Sequence, residues 1–216
     1  DPESASTAAA DPLSRQVVSL WLISGGRALD SVAWINALDG SGLEEAPLDG
    51  GRMAWMAYRA GDLELAERWV KKSDKEDFAA RWVKAKLLMR AGKLAESAVL
   101  LAKLSHETQP AFALEQSAFE GAPIQSRVGG DAAVLQFNRG RFKESLGTFI
   151  QAKYLDDAAF VGEGVLSLEE HRDSIHALLG VAPADGGDPD TVTWYVTNEA
   201  SLRWALARRL ARENQL

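Results

Sequence analysis

The chain has 216 residues, 46% of them apolar and 25% charged, with 24 basic and 31 acidic side chains giving a formal charge of −7. Those values describe an ordinary globular chain and exclude a disordered or collagen-like one. The acidic balance argues against a dedicated nucleic-acid binder. With no cysteine, disulfides, thiolate metal sites and cysteine catalysis are all excluded, and the redox compartment is left open.

The Ala/Ser-rich start, residues 1–11, has side chains too small to bury much area and is expected to be loosely held. It opens at Asp1 without a methionine, which fits a mature end left by signal removal, a linker or the cut edge of a longer chain. With the lack of cysteine, that favours a bacterial extracytoplasmic (periplasmic) location. Next come four segments that each read as helix, tight turn, helix: 17–38, 51–72, 77–104 and 130–153. They align on the turn glycines Gly26, Gly61, Gly92 and Gly140. Seven residues earlier stands a small residue (Ser19, Ala54, Ala85, Ala133) and two later an apolar one (Ala28, Leu63, Leu94, Phe142). Five later it is small again (Ser31, Ala66, Ser97, Ser145), and nine later it is bulky (Ile35, Val70, Leu101, Phe149).

Each column has a cause. Two antiparallel helices joined by a short turn approach to about 8–10 Å, which a small side chain at the crossing permits. Bulky residues fill the space toward the next pair. Glycine supplies the positive φ that ends the first helix. One such pair cannot bury its apolar face alone, so neighbours are expected to stack.

The spacing lengthens between Gly92 and Gly140, and the excess falls in an insert at about 105–129 that holds Pro110 and Pro123. Pro110–Glu120 reads as a short helix or long loop laid over one face. Beyond Lys153, residues 157–166 read as a short helix. Ser167 and Glu170 have capping-box spacing for another helix ending near Gly180. Residues 181–190 read as a Pro/Gly/Asp linker. Trp194–Leu216 reads as one further repeat helix, with Asn214 at the turn position and Ala207 at the small one. On that reading the array stops mid-pair, and the chain is expected to be one piece of a longer repeat protein.

The residues Arg90-Ala91-Gly92-Lys93-Leu94-Ala95-Glu96-Ser97 and Arg59-Ala60-Gly61-Asp62-Leu63-Glu64-Leu65-Ala66 resemble the tetratricopeptide (TPR) repeat family. The glycine spacings of 35 and 31 lie near that family's ~34 residues. The closing proline of the family is missing, so the resemblance is to TPR-like repeats generally, over roughly residues 12–155. It implies an all-α fold: an antiparallel helix-pair solenoid, or superhelix, of about five to six pairs, with repeats over 12–180.

In such arrays the first helices line the concave face. The resemblance therefore places Trp55, Tyr58 and Arg59 there, followed by Trp82, Lys86, Met89 and Arg90. Val134, Phe137 and Asn138 follow, then Trp204, Arg208 and Arg212. Aromatics with arginine are the residue types enriched at binding hot spots. The same periodicity also suits core aromatics and a solvated basic face.

Signals for chemistry are sparse. His171 and His176 are five apart, off the i, i+4 spacing of a metal pair, and read as surface or partly packed. His106 sits at a helix end, where a cation offsets the dipole. Asp185, Asp188 and Asp190 miss the calcium-loop pattern. No phosphate-binding or nucleophile motif is present. The expectation is a non-enzymatic scaffold with no metal and no cofactor. It would bind a protein or acidic peptide, or assemble with its own copies, and carry neither a nucleic-acid site nor a membrane span. A domain supporting an enzyme or envelope machine elsewhere on a longer chain is the alternative, as is a glycan groove using Trp55, Trp82 and Trp204. The chain lacks a Lys/Asn set like the family's carboxylate clamps, which disfavours binding of chaperone tails.

Overall fold

A computed structural model describes residues 2–23, 28–41, 50–105, 107, 124–180 and 189–213. Among them the protein is all-helical, with twelve α-helices, one π-helical turn and no strand. No described helix is long and apolar enough to cross a membrane. The chain divides into two compact units, Asp1–Val128 and Gly129–Leu216.

The first unit opens with α1 (Pro2–Ala10), α2 (Pro12–Ile23) and α3 (Ala28–Gly40). The start expected to be loosely held is thus helical, because α1 packs on α3 and α2 and Ala9 is fully buried. Then come α4 (Gly50–Arg59), α5 (Leu63–Lys72), α6 (Phe78–Arg90) and α7 (Leu94–Ser105). Helix α4 packs against α5 and α6, and α6 against α5 and α7.

The turns are built as the glycines require. Gly61 and Gly92 have φ of 86° and 73°. The next amide reaches back to close the helix end, Asp62 N–H donating to the Ala57 carbonyl at 3.0 Å and Lys93 N–H to Leu88 at 2.9 Å. Asp62 then caps α5 by accepting from Leu65 N–H at 2.9 Å.

Asp77 caps α6 through Ala80 N–H at 2.9 Å, and its second oxygen accepts from Gly51 N–H at 3.1 Å. One carboxylate therefore fixes the starts of both α4 and α6. A Cβ on residue 51 would lie 2.2 Å from the Asp77 oxygen, so only glycine fits.

The small residues lie inside. Ala54, Ala66, Ala85 and Ser97 have no exposed surface, and Ser97 Oγ donates to the Ala85 carbonyl at 2.9 Å. Ser19 is buried and accepts from Trp34 Nε1–H at 3.0 Å. Of the bulky column, Ile35 and Leu101 are buried, while Val70 is half-exposed. Leu94, the apolar residue two after the Gly92 turn, is 42% exposed.

Helix α8 (Ile124–Asn138) leads into the second unit, followed by α9 (Phe142–Gln151), α10 (Leu155–Phe160), a π-helical turn (Val161–Val165), α11 (Leu168–Gly180) and α12 (Pro189–Arg212). The α8–α9 turn repeats the geometry of the first unit. Gly140 has φ of 72°, Arg141 N–H donates to the Gln136 carbonyl at 2.9 Å, and Ser145 Oγ donates to Ala133 at 2.9 Å. Lys153, at φ 66°, makes the same turn without glycine, and Tyr154 N–H reaches the Phe149 carbonyl at 2.9 Å.

The expected short helix at 157–166 begins at Leu155 and finishes as the π-turn. Ser167 and Glu170 form the capping box, with Ser167 N–H donating to the Glu170 carboxylate at 3.1 Å and Glu170 N–H to Ser167 Oγ at 3.2 Å. Leu146, Phe149, Ile150, Val161, Ile175, Leu202 and Leu206 form the core. The turn at Gly26, the short helix or long loop read at Pro110–Glu120, His106, Asn214 and residues 181–188 of the expected linker, with Asp185 and Asp188, lie outside the described residues, whereas Pro189 and Asp190, read as linker, open α12.

Candidate functional site

In the first unit the sequence-derived residues meet. Positions 55, 58 and 59 share one side of α4, and 82, 86, 89 and 90 one side of α6. Because α4 packs on α6, the two stripes face each other. The Trp55 and Trp82 rings lie 4.4 Å apart at 30°, and Tyr58 stacks on Trp55 at 5.9 Å and 13°. Lys86 Nζ stands over all three rings, 5.0 Å from Trp82 and 5.9 Å from both Trp55 and Tyr58. Arg90 Nε donates to the Tyr58 hydroxyl at 3.0 Å, and its guanidinium lies 5.2 Å from the Tyr58 ring.

Burial sorts these residues into a floor and a surface. Trp82 is 1% exposed and Trp55 9%, so neither serves as an open stacking platform. Their faces are taken by each other and by Lys86. Tyr58 and Lys86 are half-buried, while Arg59 and Arg90 are exposed. The chemistry presented outward is a phenol and three cations over an aromatic base. Each cation–π contact contributes about 0.5–1 kcal/mol, and together they hold Lys86 and Arg90 in place.

The remaining candidates belong to the second unit. Phe137 packs edge-on against Phe142 at 5.1 Å and lies 6.2 Å from Phe160, which is 63% exposed. Val134 and Asn138, also on α8, are exposed. On α12, Trp204 is 63% exposed. Arg208 is no open cation: with Arg212 it grips Glu163, at 2.5 and 2.9 Å. The salt bridges join α12 to the π-turn.

Two residues were misjudged or missed by sequence. His171, expected near the surface, is 1% exposed. Its ring packs head-on against Gly162, where a Cβ would come within 2.6 Å of Nε2. Burial first, then the Arg209 and Arg212 charges, push its pKa below the usual 6.5, opposed by Glu163. Arg209 gave no sequence signal. Its Nη1 donates to the carbonyls of Gly162, Glu163 and Leu166 at 2.9, 2.9 and 2.8 Å, satisfying groups that the π-turn leaves without helical partners. His176 is exposed. Among the described residues no cluster of His, Asp or Glu is arranged to hold a metal ion.

Comparison with known protein families, characterised proteins and solved structures gives no match to this chain.

Proposed function

We propose that this chain is a non-enzymatic protein-interaction module, built of TPR-like stacked helix pairs, that binds an acidic segment of a partner on the α4–α6 face. The observation that carries the reading is the ordering of Lys86 and Arg90 over Trp55, Tyr58 and Trp82. Long cationic side chains normally lose about 1.5–2 kcal/mol of rotamer freedom when fixed. Here the rings and the Tyr58 hydroxyl have already restricted them, so a carboxylate meets donors in position.

Arg59, Lys86 and Arg90 supply charge-assisted hydrogen bonds, and Tyr58 supplies both ring edge and hydroxyl. The chain carries a net −7, and its local basic face is complementary in charge to an acidic partner segment. Burial of Trp55 and Trp82 weighs against the glycan groove, which needs open indole faces.

The test is quantitative affinity capture from the source organism's lysate with the wild-type chain, Tyr58→Ala and the double variant Lys86→Glu/Arg90→Glu. Losing two such contacts, at about 1 kcal/mol or more each, reduces recovery of specific partners by at least about tenfold. Circular dichroism should stay unchanged. Equal recovery by the folded double variant overturns the reading.

A further inference from the structure

On the opposite side of α6 lies a second surface. Lys84 is two residues from Lys86, about 200° around the helix. With Leu87, Leu88 and Ala91 it forms an i, i+3, i+4, i+7 stripe. Helix α5 carries Glu67, Val70 and Lys71 at i, i+3 and i+4, and Asp74 follows just beyond its end. The two stripes line a cleft of about 620 Å³.

Its floor is apolar, with Val70, Leu87 and Leu88 all half-exposed. Its rim is basic. Lys71 is paired with Glu67 at 2.8 Å and Arg81 with Glu107 at 2.6 Å. Lys75, Lys84 and Lys93, which also line the cleft, make no ion pair with another described residue. In a chain of net charge −7, unspent positive charge around an apolar trough is out of keeping with the surface as a whole.

We propose that this cleft docks an acidic amphipathic helix of another protein, with aliphatic side chains on Val70, Leu87 and Leu88 and carboxylates toward Lys75, Lys84 and Lys93. Two ridges of helical spacing accept a third ridge between them. From Ala80 to Ala91 the floor runs about 17 Å, the length of three helical turns. An aliphatic floor matches leucine-type side chains and gives a nucleic-acid base no ring to stack on. The site stands apart from the α4–α6 face, so either surface can fail without the other.

The test uses the full chain and a fluorescent, designed amphipathic peptide of about 14 residues, with leucine at i, i+3, i+4 and i+7 and glutamate elsewhere. A second peptide replaces each glutamate with lysine. The glutamate peptide should bind, and raising salt from about 0.05 to 0.5 M should weaken it. Lys84→Glu/Lys93→Glu, both at exposed positions, should weaken it by at least about tenfold, while Tyr58→Ala leaves it unchanged. Four results overturn the proposal: no binding at about 1 mM peptide, equal binding of both peptides, indifference to the charge reversal, or loss through Tyr58→Ala. Tighter binding of a single-stranded RNA oligomer than of the peptide, or self-association abolished by the same reversal, would assign the cleft to a different occupant and equally overturn it.

Discussion

Replacing Ala85 with leucine asks whether small residues sit where helices cross. Ala85 has no exposed surface, and its carbonyl accepts from Ser97 Oγ on α7 at 2.9 Å. Leucine adds three carbons at a point where two helix axes lie about 8–10 Å apart. Overpacking a filled site costs about 1–3 kcal/mol, and a backbone crossing has little room to relax, so the expected loss is near 3. Ser97→Ala is the gentler companion. It removes one buried hydrogen bond without adding volume and should cost about 1 kcal/mol. Lys84→Leu, one residue away but exposed, should stay within about 0.5 kcal/mol of wild type. Urea unfolding followed by tryptophan fluorescence and far-ultraviolet circular dichroism measures all three. If Ala85→Leu proves as harmless as Lys84→Leu, the small-residue column does not mark a close crossing and the packing argument fails.

Gly92→Ala forces a Cβ into φ of 73° and should cost about 1–2 kcal/mol, seen as a melting point lowered by roughly 2–8 °C; Gly92→Asn, which tolerates that region, should recover part of the loss. Arg209→Met leaves three carbonyls near the π-turn without their donor and should destabilise the second unit by about 2–3 kcal/mol, read by hydrogen exchange of the 161–166 amides.

His171 gives stability a pH dependence. Its folded pKa lies below 6.5, so the unfolded chain takes up a proton that the folded chain resists. The contribution is complete above about pH 7 and falls as pH drops through 6.5 toward the folded value. Urea midpoints between pH 7.5 and 5 should decline in wild type and flatten in His171→Gln. Asp39, held low chiefly by its hydrogen bond from Lys72, loses its share only below about pH 4, outside that window.

The turns and crossings were readable because each depends on one residue with one cause. Gly61, Gly92 and Gly140 adopt positive φ, and Ser97 and Ser145 bond to Ala85 and Ala133 across the helix pair. Lys153 escaped the pattern because a helix end can pay for positive φ without glycine. The residue types of the α4–α6 site were also legible, but their exposure was not. A 3.6-residue period aligns Trp55 with Trp82 whether the stripe meets solvent or a neighbouring helix, and only packing buries the indoles while lifting Lys86 and Arg90 to the surface. His171 and Arg209 were illegible for a related reason. Their surroundings come from Gly162, Glu163 and Leu166, brought close by a π-turn that no sequence period announces. Arg208 looked like a groove cation because its partner, Glu163, stands 45 residues away in the chain.

Site-specific photo-crosslinking tests the interaction face most directly. A benzoylphenylalanine at exposed Arg59 should capture the partner recovered by the wild-type chain, and capture should vanish when Lys86→Glu/Arg90→Glu is added. The same probe at Val99, 74% exposed on α7, should remain silent. Capture from Val99 with none from position 59 would place the partner elsewhere and contradict the account.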